Sequence, residues 1–173
     1  MGGYCYFNNA AIAAAELAPE KVAVLDIDAH HGNGTQEIFY SDGRVLTLSI
    51  HGDPKTSYPY AWGFSDEEGE GAGKGLNVNV PLPQSCGGRE WLACLEELIA
   101  RIRSFDPAYL IVSLGVDGLK EDDGGAFKLE LADFAKAGEM IADVGLPALI
   151  VQEGGYHLPL IGRCVSAFLE GWD

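Results

Sequence analysis

The sequence predicts an α/β protein built on a mainly parallel sheet with helices covering both faces. Short apolar runs alternate along the 173 residues with segments of helical spacing. Most of those runs are continuously apolar, as strands buried on both faces are. Polar residues able to hold a metal recur just after the runs, at the sheet edge where ligands of parallel sheets collect.

Each element has its own reason. Residues 8–18 are alanine-rich and read as a helix stopped by Pro19, and the β-branched run 21–27 reads as the first strand. A short helix over 34–40 and a second strand over 45–50 follow. Residues 52–75 are too rich in Gly, Pro, Tyr and acids for a regular element, and a loop of that length is usually functional. Residues 76–82 alternate like a third strand, which Pro81 is expected to end early. Trp91, Leu95, Leu98 and Ile102 have helical spacing within 89–104. A strand at 109–114, a helix at 131–144, a strand at 148–152 and a helix at 159–172 complete the pattern. No repeat or linker divides the chain, so one domain is expected.

Composition narrows the function. The chain is 47% apolar and 21% charged, which fits a globular protein rather than a disordered one. No apolar run is long enough to cross a bilayer and no basic signal-peptide start is present. A net charge of -15 argues against a nucleic-acid groove and favours cationic or neutral ligands. Cys5, Cys86, Cys94 and Cys164 are scattered without a C-x-x-C, as expected of reduced thiols in a cytoplasmic protein.

The stretch LDIDAHHGNG, residues 25–34, ends the first strand with two carboxylates and two imidazoles. Asp26, Asp28 and His30 follow that strand, Ser49 and His51 close the second, Asp117 follows the fourth, and Glu153-Gly154-Gly155-Tyr156 follows the fifth. Singly, each has an ordinary reading: an aspartate after a strand makes a turn, and a histidine packs. Buried carboxylates, however, need a partner that offsets their desolvation. Two carboxylates and an imidazole converging on one point suit a divalent cation with an open coordination position.

GGYCYFNNAAIAA, VAVLDIDAHHGNGTQEIFY, LIVSLGVDGLKEDD and VQEGGYHLP together resemble the zinc-dependent histone deacetylase family, nearest its bacterial acetylpolyamine amidohydrolase and class II-like branch. The resemblance covers the chain and implies the three-layer arginase/deacetylase-like α/β fold. It implies zinc (or iron in the cell) held by Asp28, His30 and Asp117, and a structural potassium held by Asp26, the Ser49 hydroxyl and main-chain carbonyls. Tyr156 matches the tyrosine that donates to the acetyl oxygen as it becomes an oxyanion, with Gly154 and Gly155 letting the backbone turn there. Tyr58 and Gly3 match residues of the acyl-lysine tunnel. The substrate implied is an acetylated amine, acetyllysine or acetylpolyamine, hydrolysed by metal-activated water.

Two departures qualify the match. His30-His31 are not the family's tandem catalytic histidines, which lie in a P-G-H-H-A motif preceding the stretch equivalent to MGGYCYF; nothing here matches it. His31 is therefore expected to be structural and His157 a loop residue. Residues 1–173 thus resemble the C-terminal portion of a longer catalytic domain, whose early strands and general base lie elsewhere. Expressed alone, such a portion is expected to self-associate through an unpaired strand edge. Asn33 stands where nuclear class I enzymes carry Asp, which favours the class II and polyamine branch. Two alternatives remain: a binuclear manganese ureohydrolase, disfavoured because Gly32, Gly118 and Leu119 stand where bridging carboxylates are needed, and a non-catalytic metal- or partner-binding module. Metal analysis separates the former from the zinc deacylase, and turnover on an acetylated amine separates the latter.

Overall fold

The computed structural model describes residues 4–172. Strand β1 (Val22–Asp26) is buried along its whole length. On one side it pairs in parallel with β2 (Val45–Gly52), which pairs in turn with β3 (Asn77–Leu82). On the other side lies β4 (Tyr109–Leu114), followed by β5 (Ala148–Gln152), so the order is β3–β2–β1–β4–β5 and every pairing is parallel. The α/β sheet expected from the continuous apolar runs is what the chain forms.

Alternation along each strand divides two cores. Val22, Val24 and Ile111 pack against α1 (Asn9–Glu16) and α2 (Asn33–Phe39) through Ala10, Ala11, Ala14 and Phe39. Ala23, Leu25, Leu110 and Val112 face the larger core beneath α3 (Gly88–Phe105), α4 (Leu131–Ala142) and α5 (Leu158–Trp172). Trp91, Leu95, Leu98 and Ile102 all point into it, as their spacing required. Asn8 starts α1 by accepting the Ala11 N–H at 2.8 Å through its side chain, a strong N-cap.

One expectation fails. Pro81 does not end β3, which continues to Leu82. β3 is an edge strand, and an edge tolerates a residue with no N–H to donate outward.

The topology places the site. From β1 the chain moves outward to β2 and β3, then crosses back to the opposite flank of β1 as β4. The carboxyl ends of β1 and β4 therefore border a topological switch point, where open parallel sheets leave a crevice for ligands. Among the described residues no helix is long and apolar enough to cross a membrane.

Candidate metal centre

Asp28 and Asp117 reach this crevice from the two strands that flank it. Beyond β1 the chain is stitched by its own side chains: Asp26 Oδ1 accepts the Asp28 N–H at 3.0 Å, and Asp28 Oδ1 accepts the His30 N–H at 2.8 Å. Such bonds to a residue two places on are the usual work of Asp in turns. They fold the segment so that the His30 ring meets the Asp28 carboxylate. Asp117 Oδ1 accepts the Ala29 N–H and Asp28 Oδ2 accepts the Gly154 N–H, both at 2.8 Å. These bonds tie the ends of β1, β4 and β5 into one floor.

The result is a triad. His30 Nδ1 lies 3.1 Å from Asp28 Oδ1 and 2.8 Å from Asp117 Oδ2. Among the described residues, Asp28, His30 and Asp117 are the group whose ligand atoms all fall within 4.8 Å of one another. Tetrahedral zinc, with ligands at about 2.0–2.2 Å, sets its donors roughly 3.3 Å apart. Asp117 is fully buried, yet its Oδ2 accepts no well-directed hydrogen bond. A buried anionic oxygen left that way is costly unless a cation meets it. Gly154 closes the floor: a Cβ there would fall 2.6 Å from Oδ2 of both aspartates. The donor set and the orphaned oxygen fit a divalent metal.

Electrostatics point the same way. His30 is pushed up to about 10, first by Asp117 and then by Asp28. Burial, then Asp28, pushes Asp117 up to about 6 and holds Asp26 well above the usual carboxylate range. Glu153 is raised by the same two causes. Among the described residues no Lys or Arg forms an ion pair with these acids. Several carboxyl groups therefore crowd one imidazole, a field that demands added positive charge.

Tyr156 borders this field. Burial, then Asp117 and Asp28, push its phenol up to about 12, so it keeps its proton and remains a donor at neutral pH. The Tyr58 ring stands edge-on to the His30 ring with centroids 6.3 Å apart.

Comparison with known proteins decides the family. A model of the histone deacetylase domain matches residues 1–172. The chain belongs to the histone deacetylase family. It is 48% identical to acetylpolyamine amidohydrolase 1 of Pseudomonas aeruginosa, covering 100% of this chain and 51% of that protein. It is 44% identical to acetylpolyamine amidohydrolase of Mycoplana ramosa, over 99% of this chain and 51% of the relative. The crystal structure of acetylpolyamine aminohydrolase from Burkholderia pseudomallei superposes with a TM-score of 0.97 at 42% identity, covering 99% of this chain and 51% of that one. The fold is thus the arginase/deacetylase-like one, and the chain spans about half the length of the curated relatives it matches.

In this deacetylase-family chain the other expected site residues fall as follows. Asp26 and Ser49 are register partners across β1 and β2. His51 Nε2 faces the Gly63 carbonyl at 2.8 Å and so carries the proton, which leaves Nδ1 to accept from the Ser49 hydroxyl, also at 2.8 Å. Burial, then His31, pushes His51 down to about 3. His31 is buried away from the triad, its Nε2 bonded to Gln36 Oε1 at 3.0 Å and Asn79 Oδ1 at 3.1 Å. Gly155 and His157 belong to the connection between β5 and α5. Gly3 lies outside the described residues. Sequence reasoning passed over Tyr4, whose ring centroid is 6.2 Å from that of Tyr156, and Asp122, which bonds the Tyr156 backbone. Their only signal was membership of quoted motifs.

Proposed function

We propose that the full-length protein hydrolyses the N-acetyl amide of a cationic amine, acetylpolyamine or acetyllysine, and that residues 1–173 are part of its catalytic domain, supplying the metal site and the oxyanion donor. The observation that carries this reading is the convergence of ligand atoms of Asp28, His30 and Asp117 within 4.8 Å of one another, with Asp117 fully buried and no Lys or Arg beside it among the described residues. Asp28, His30 and Asp117 would hold zinc or iron, which when bound supplies Lewis acidity toward an acyl carbonyl and toward water. The chain's own residues do the remainder. Tyr156, protonated across neutral pH, donates to the carbonyl oxygen as charge develops on it. Tyr58 walls the approach beside His30. Asp26 and Ser49 would hold potassium with nearby main-chain carbonyls, since the Ser49 proton is spent on His51 and its lone pairs stay open.

Amide hydrolysis also needs a group to take the proton from water and return it to the leaving amine. None of the chain's four histidines fits that task. His30 is the proposed ligand, His31 and His51 are buried in hydrogen bonds elsewhere, and His157 is a half-buried residue of the β5–α5 connection with no hydrogen bond to the triad. The proton transfer is assigned to a group outside these 173 residues. The net charge of -15 and the names of the relatives support a cationic substrate.

Acetate release tests the reading. The zinc-loaded full-length protein should release acetate from an N-acetylated diamine or an acetyllysine peptide, lose that activity to a chelator and regain it with zinc. Release from neither substrate would overturn the proposal.

A further inference from the structure

We infer that Asp122 is a positioning residue that sets the place of Tyr156. The inference rests on the deacylase reading for its consequence, though not for its geometry. The connection from β5 to α5, residues 153–157, has no helix or strand of its own and contains two adjacent glycines. Tyr156 at its apex is 46% exposed, so side-chain burial alone does little to fix it. The backbone beneath it is held instead from 34 residues away. Asp122 Oδ2 accepts the N–H of Tyr156 at 2.6 Å and that of His157 at 2.9 Å, while Oδ1 accepts the Gly124 N–H at 2.9 Å.

Three features make this more than a surface bond. Asp122 is only 8% exposed, so these N–H groups meet carboxyl oxygens in a partly desolvated setting, where a hydrogen bond is strong and costly to lose. The two donors are the last N–H groups before α5 begins at Leu158, and a carboxylate at a helix N-terminus gains from the helix dipole. Gly124 then completes the seat, because a Cβ there would lie 2.7 Å from Tyr156 Cδ2. The tyrosine ring thus rests on the turn that Asp122 itself closes.

Asp122 belongs to the segment following Asp117, and Gly154 of the tyrosine's connection bonds Asp28. One short span therefore fixes the hydroxyl relative to the metal ligands. A donor that acts on a developing oxyanion must be placed before the reaction, and a misplacement of about 1 Å costs on the order of 10²-fold.

The test is a double-mutant cycle in the full-length protein with amide hydrogen exchange beside it. Asp122→Ala should lower kcat by about 10–100-fold with little change in KM and full metal content. Asp122→Asn, which keeps one acceptor oxygen, should recover part of that loss. In a Tyr156→Phe background, Asp122→Ala should cost less than about threefold, because the hydroxyl it positions is already gone. Exchange at the Tyr156 and His157 amides should quicken in Asp122→Ala while the amides of β1 stay protected, a readout that needs no substrate. Additive losses in the cycle, loss of metal, or unaltered exchange at those two amides would overturn the inference. Quickened exchange in a protein whose wild type releases no acetate would leave the hold of Asp122 on the loop standing and overturn the deacylase reading alone.

Discussion

The connections after β1 and after β5 face the same crevice and are built on opposite plans. The first carries two of the three proposed metal ligands and is fixed chiefly by bonds within itself, with remote ties to Asp117 and Asn79 added. Asp26 bonds Asp28, Asp28 bonds His30, and His31 pins the following turn to Gln36 and Asn79. The second carries Tyr156 and is fixed remotely, its N–H groups ending on Asp28 and Asp122 and its Gly154 carbonyl accepting the Val116 N–H at 2.7 Å. A ligand must be rigid before the ion arrives, since like charges have to be held together against repulsion. A donor to an oxyanion needs only correct placement over a site already assembled. Dense local bonding suits the former and a cantilevered loop the latter.

The largest effect expected is at the ligands. Asp117→Ala should abolish metal binding and lower activity by more than the roughly 10–100-fold that loss of an outer-sphere partner costs. Elemental analysis of the purified variant is the check, and full metal stoichiometry would break the assignment. Next comes the remote side of the comparison. Tyr156→Phe should retain metal and KM while kcat falls about 10²–10³-fold, as for loss of one oxyanion donor. Steady-state kinetics on the full-length protein decide this, and an unchanged kcat would remove the phenol from the chemistry.

The difference between the two connections also explains what was legible in the sequence. Strands, helices and a metal-capable cluster at Asp26, Asp28 and His30 could be read because their causes are local (apolar runs, helical spacing, and acids clustered within five residues), whereas the choice of Asp28 and His30 as ligands came from the family resemblance. Asp117 was legible because it follows its own strand in the same manner. Asp122 was not, since its partners lie 34 and 35 residues later and no spacing rule connects them. Pro81 misled for a related reason, because its effect depends on whether its strand is an edge, a property of the assembled sheet.

A smaller effect concerns pH. His30 lies above its ordinary 6.5, at about 10, so in metal-free protein it contributes stability that is fully present below pH 6.5 and is lost as pH rises toward 10. Asp117, raised from 3.8 to about 6, binds its proton more tightly in the folded state; its contribution likewise falls as pH rises through that window. Chelated protein should therefore melt at a lower temperature as pH rises. Metal requires deprotonated ligands, so the stabilisation gained on adding zinc should grow with pH. Thermal unfolding at about pH 5.5 and pH 8.5, with zinc and with chelator, tests both slopes; a zinc-induced gain that shrinks with pH would break the ligand assignment.

The smallest effect on chemistry should come from the residue beside the ligand. His30 and His31 are adjacent, yet their rings have different partners: His30 meets Asp28 and Asp117, while His31 meets Gln36 and Asn79. Burial lowers His31, which keeps it neutral, and its Nε2 proton is committed to those two carbonyl oxygens. His31→Ala leaves a buried polar network short of one donor, which costs about 1–3 kcal/mol of stability. Gln36 Oε1 still accepts from Asn77 and Asn79, each at 2.8 Å, so the network should survive in part. Metal content should be unchanged and kcat should move by less than about tenfold, the low end of what outer-sphere partners contribute. A folded, metal-replete His31→Ala variant whose kcat falls by the roughly 10²–10⁴-fold typical of a lost general base would reverse this reading. His31 would then be the proton acceptor, and the catalytic machinery would lie within these 173 residues.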